Sequence, residues 1–177
     1  MRFVISGEWT RNHLLKLIVI FFLLYISAFW VTNLLLFTHK LGFSYSSVVE
    51  HYRGSEQAFK QPRSYQGLLE QSHFHLFAMG ILMLTLTHLI LFVPLAIRTK
   101  LFFIISAFSS AFLDEASGWL IRYAHPGFAY LKLGAFAALQ LSILLLIGFV
   151  LHALFTAAPS AYTDSNVARR TSNHEKT

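Results

Sequence analysis

His73, His75 and His88 fall inside one long apolar stretch, residues 68–97. A titratable ring is costly in hydrocarbon, so each of them needs a partner, a ligand or a route to water. Asp114 and Glu115 stand side by side in another apolar stretch, Asn33 lies in an earlier one, and His152 lies near the end of the last. Imidazole and carboxylate together suit a zinc, iron, copper or manganese ion, and they suit proton exchange with a quinone head group equally well.

Helical geometry sorts these residues. At about 100° per residue, His73 and His75 are separated by about 200° and cannot share a face, whereas His73, Gly80 and His88 lie on one side. Two histidines about four turns apart with a glycine between them would hold haem at two depths, because glycine leaves room for the macrocycle. This pattern resembles the haem-bearing helix of membrane di-haem b-type cytochromes. The resemblance implies axial ligands on a second helix, and there the sequence offers His152, with Ala138 at the corresponding outer position. The expectation is a haem b between His88 and His152, with His73 opposite His39, His51 or His125 above it. The competing expectation is a metal ion held by His73, His75 and Asp114. His75 also forms a stripe with Met79 and Met83 suited to copper(I), but methionines in a leucine-rich helix read as core filling.

The acids separate in the same way. Asp114 shares a stripe with Ser106, Ser110 and Ser117 and is expected to face the bundle interior, with Asn33 also turned toward other helices. Glu115 shares a different side with Trp119 and Arg122, which predicts a Glu115–Arg122 pair reaching outward. On the last helix, Gly134, Ala138, Leu141, Leu145, Gly148 and His152 form a narrow face expected to pack inward.

The elements that must position these side chains follow from composition. Of 177 residues 55% are hydrophobic and 12% charged, where a soluble domain has roughly a quarter charged. Four apolar runs, 14–38, 68–97, 101–121 and 129–158, approach or exceed the roughly 20 residues that span a bilayer. The chain therefore reads as an all-α integral membrane protein, an antiparallel up-down bundle of four transmembrane helices. That gives one domain over 1–158, with an outer loop at 39–67 and a disordered polar tail at 159–177. Within the loop, residues 44–54 suggest a short amphipathic turn lying on the surface, and Gly54 and Pro62 argue against one continuous helix. Pro94 is expected to bend the last turns of the second span.

Several classes are excluded. The net charge of +6 comes without a basic run, so it reads as attraction to lipid head groups rather than to nucleic acid. With no cysteine there is no iron-sulfur cluster and no covalent haem through a C-x-x-C-H motif. Nucleotide-binding loops, nucleophile elbows and zinc-protease motifs are missing from the sequence. The first apolar run is longer than a signal-peptide core and lacks a small-residue cleavage site, which predicts a retained span. A slight excess of Lys and Arg at one side places both termini in the cytoplasm of a multi-pass inner-membrane protein.

The expected function is binding of haem b or a His/carboxylate-held metal, with electron or proton transfer to a membrane protein partner, a second copy or a quinone. The alternatives are an accessory or assembly subunit of a membrane complex and a small proton-coupled transporter using Asp114.

Overall fold

The computed structural model describes residues 13–156. Five α-helices follow one another: α1 (His13–Lys40), α2 (Tyr45–Arg53), α3 (Tyr65–Ile90), α4 (Ile97–Trp119) and α5 (Ala129–Thr156). All but α2 are long and apolar enough to cross a membrane. Short connections from α3 to α4 and from α4 to α5 make successive spans antiparallel. The protein is an all-α integral membrane bundle of four up-down transmembrane helices. The polar tail expected at 159–177 lies outside the described residues.

Local chemistry sets the helix ends, and it moves some of the expected boundaries. α3 starts at Tyr65, three residues early, because Ser64 caps it: its hydroxyl accepts the Gly67 N–H at 3.1 Å. The same helix stops at Ile90, seven residues before the expected end. Pro94 has no N–H to give and disfavours helical backbone at the residue before it, so the chain leaves the helix instead of bending within it. The N–H groups of Leu91 and Phe92 close onto the carbonyls of His88 and Leu89, both at 3.2 Å. Arg98, Thr99 and Lys100, expected as a link, form the first turn of α4. Lys100 reaches back to the Leu91 carbonyl at 2.7 Å, placing an ammonium at the negative end of α3.

The bundle core is built by α3, α4 and α5, with Met79, Met83 and Leu86 meeting Ala107 and the Leu139, Ile143, Leu146 and Val150 row of α5. Here the expected inward face of α5 is corrected. Gly134, Ala138, Leu141, Leu145, Gly148 and His152 are all exposed, while the larger side chains point inward. Close approach is supplied from the other helix: α4 buries Ala107, Ser110 and Ser117, and large side chains of α5 pack along α4.

α1 buries Val19, Leu23 and Phe37 and rests along α5. Phe37 stacks on Phe136 with ring centroids 3.6 Å apart, and the Trp30 indole donates to the Gln140 carbonyl at 2.9 Å. Most of its other large apolar side chains are exposed, as suits a helix covered by lipid.

α2 does more than lie on a surface. Val48 and Tyr52 are 0% and 2% exposed, wedged beside α5 and the single π-helical turn, Leu120–Ala124, that extends α4. Gly54 ends the helix at φ 79°, where a Cβ would meet the Lys60 carbonyl at 2.5 Å. No other residue fits there without shifting the backbone.

Candidate functional site

Charged groups gather at the α2 end of the bundle. The serine stripe of α4 turns Asp114 inward, as expected, and the residue it meets is Lys132 of α5. Lys132 Nζ lies 2.9 Å from Asp114 Oδ1 and also donates to the Asp114 carbonyl at 2.8 Å. Both side chains are 6% exposed. Two charges withdrawn from water this completely persist only as a pair, since either alone would carry an uncompensated desolvation cost.

Tyr52 closes this pair from above. Its ring passes directly over Gly118, where an added Cβ would sit 2.9 Å from Tyr52 Cε1. The phenol lies within the electrostatic reach of the Lys132 ammonium. Burial raises the Tyr52 pKa above its ordinary value, opposed by the Lys132 charge, so the hydroxyl keeps its proton at neutral pH.

Glu115 sits beside this group and is also buried, contrary to the expected outward pair with Arg122. Ser72 donates to Glu115 Oε1 at 2.5 Å, and the Trp119 indole donates to the same serine oxygen at 2.8 Å. His75 Nδ1 lies 3.0 Å from Glu115 Oε2. Arg122 instead donates to the Arg63 carbonyl at 2.9 Å. The reason is register: Ser72 and His75 occupy the α3 face turned toward Glu115, whereas Arg122 lies in the π-helical turn, beside the loop that leads into α3.

A cavity of about 330 Å³ opens beside these residues. Lys40, His51, Tyr52, Arg63, His75, Asp114 and Lys132 line it together with Asn33 and the rings of Phe29, Phe37 and Phe136. A wider groove at the α2 end shares Lys40, His51 and Arg63 with the cavity and leads to water. His51 stays neutral at the junction. Burial, then the charges of Arg63, Lys132 and Lys40, push its pKa from 6.5 down to about 4. Neutral His51 accepts a hydrogen bond from Arg63 Nε at 3.3 Å.

The histidines predicted to hold a cofactor are distributed differently from the expectation. His73, His88 and His152 are all exposed on the perimeter, and neither the His88–His152 pair nor an inward His73 is formed. His75 is the inward one. The inner face of α3 is fixed by Leu68, Ser72, Met79, Leu82, Met83 and Leu86, and His75 lies one turn from Met79 on that face. Gly80, read as a marker of the interior, is exposed as well. His73 and Asp114 do not converge with His75 on one point, and among the described residues no group of three metal-ligating His, Asp or Glu side chains occurs. Asn33 is half-buried and lines the cavity, and Met79 and Met83 are core residues.

Lys132 and Tyr52 escaped sequence reasoning. Lys132 stands four residues into α5, a position that reads as an interface anchor, and Tyr52 falls in the segment expected as the outer loop. The signal for both was Asp114 itself, a buried acid in need of a cation, with Gly118 one turn above it to make room.

These positions can be set beside known proteins. The Aq_1264_TM family model, a transmembrane helical domain, matches residues 42–161, well over half of the chain. The chain belongs to that family. The matched segment carries α2 through α5, and with them Tyr52, His75, Asp114, Glu115 and Lys132, while α1 lies before it. No curated protein and no solved structure matches the chain.

Proposed function

We propose that this membrane protein exchanges protons between the buried His75–Glu115 pair and water at the α2 end of the bundle. One observation carries the reading: a carboxylate holds one ring nitrogen of His75, and the same ring lines the cavity that leads to the aqueous groove. A carboxylate that fixes the tautomer and orientation of an imidazole leaves the second nitrogen as the working atom, the arrangement found in proton-transfer triads and in metal-binding histidines alike. The partners of Glu115 support it, since Trp119 donates to Ser72 and Ser72 donates to the acid, so the contact at Glu115 Oε1 runs in a fixed direction. With both termini in the cytoplasm, the cavity mouth faces the outside of the cell membrane.

Haem ligation finds no such support, because His73, His88 and His152 are all exposed on the perimeter rather than turned into the bundle.

Hydrogen–deuterium exchange at the His75 ring, followed by isotope-edited infrared spectroscopy in nanodiscs, tests the reading. The ring N–H is expected to exchange freely in the native protein and about ten-fold more slowly in Asn33→Phe, which narrows the cavity. A ring proton as protected as the core backbone amides in the native protein would sink it.

A further inference from the structure

The cavity reaches the His75–Glu115 pair at His75. On a different side, two crevices of about 140 and 330 Å³ lie between α3 and α4, lined by residues of those helices and of the π-helical turn. They share Leu76, Phe112 and Glu115. The rim is apolar and open: Leu76 is 49% exposed, Phe108 40% and Phe112 61%. In a membrane-spanning bundle this opening faces hydrocarbon. Gly80 widens it, since a Cβ there would have no heavy atom within 4 Å.

An apolar doorway onto a buried carboxylate and imidazole selects its occupant by chemistry. His75 lies ten residues into α3 and Glu115 nine residues before the end of the π-helical turn, so both sit about 14–15 Å below the helix ends. A phospholipid head group would have to carry its charge down into hydrocarbon to reach them, at high cost. A plain acyl chain reaches that depth easily but offers His75 and Ser72 nothing to hydrogen-bond. An uncharged ring bearing carbonyl or hydroxyl oxygens satisfies both demands, with Phe108, Phe112 and Trp119 at hand for its faces. We infer that a quinone- or quinol-class lipid enters ring first between α3 and α4 and places a head-group oxygen on His75. The imidazole then stands between that oxygen and the water-connected cavity, since His75 lines both spaces. Binding alone is inferred, and it does not rest on the proton-exchange reading above.

The test uses the full chain in nanodiscs with Trp9→Phe and Trp30→Phe, so that Trp119, in the crevice wall, is the fluorescent reporter. A decyl-tailed benzoquinone is the probe. Quenching that saturates, and that weakens about ten-fold both in Gly80→Leu, which fills the crevice, and in His75→Phe, which removes the head-group contact, is the expected result. Gly80 faces open space, so its leucine variant does not disturb the core. Quenching that rises linearly without saturation, or saturates equally in both variants, overturns the inference. Ring exchange at His75 is measured on the same Trp9→Phe/Trp30→Phe protein, without the crevice substitutions. Exchange that persists where quenching fails removes the lipid ligand and leaves the proton reading standing; loss of exchange alone does the reverse.

Discussion

Lys132 is the residue on which the charge balance of the site turns. Replacing it with methionine keeps most of its volume but leaves the Asp114 carboxylate buried without a cation, and the cost of breaking such a pair is about 3–5 kcal/mol. Thermal unfolding in detergent should show that loss for Lys132→Met and recover most of it in the double variant Asp114→Leu/Lys132→Met, where no charge remains to be desolvated. His51 gives a second residue-level expectation. Its folded pKa of about 4 lies below the 6.5 of a free imidazole, so the unfolded chain takes up the proton first. Stability should therefore fall as pH drops from 6.5 toward about 4 and be untouched by this group above 6.5. The difference between native protein and His51→Asn across that range isolates the effect, and equal slopes for the two would refute it. At this scale the sequence was half legible. The serine stripe pointed Asp114 inward correctly, because a row of polar side chains along one side of a membrane helix has to be sheltered from lipid. Lys132 was hidden by its own length: a long aliphatic stem lets a charge act several ångströms from the position of its backbone. His73 and His75 of α3 were exchanged because a lone glycine was taken to mark the inner side, and glycine serves an open crevice just as well.

Helix existence was the most legible property, since four runs of apolar residues admit little else, and all four spans are formed. Helix ends were less so. Ser64, Pro94 and the π-helical turn after Trp119 decide them through single hydrogen bonds gained or lost, which hydropathy does not register. The helix α2 stands where only a short amphipathic surface turn was foreseen, and its wedging was not legible, because it depends on Tyr52 meeting a notch that α4 provides from a distant part of the chain. That notch is Gly118, and it yields a prediction for the element as a whole. Gly118→Ala should displace Tyr52 and cost about 1–3 kcal/mol by overpacking, although alanine favours the helix itself by about 1 kcal/mol. A variant more stable than the native protein in thermal unfolding would show that α2 docks without the Tyr52 contact.

For the whole molecule, polar groups divide into an interior set at the α2 end and a perimeter set that meets lipid or head groups. Alanine at His73, His88 or His152 should change stability by less than about 0.5 kcal/mol, as for surface substitutions generally. Alanine at His75 removes a partner from a buried carboxylate and should cost about 1–3 kcal/mol. Comparable losses at all four positions would mean that the perimeter histidines are covered by a further chain. The same division reaches back to how the protein enters its membrane. α4 is the least apolar of the four spans and carries both buried acids, yet the ammonium that neutralises Asp114 belongs to α5. A ribosome delivers α4 first, so for a time its aspartate has no cation and its partition into lipid is disfavoured. α4 is then expected to enter the bilayer together with α5 as a helical hairpin, which would give the ion pair a part in assembly as well as in the finished site.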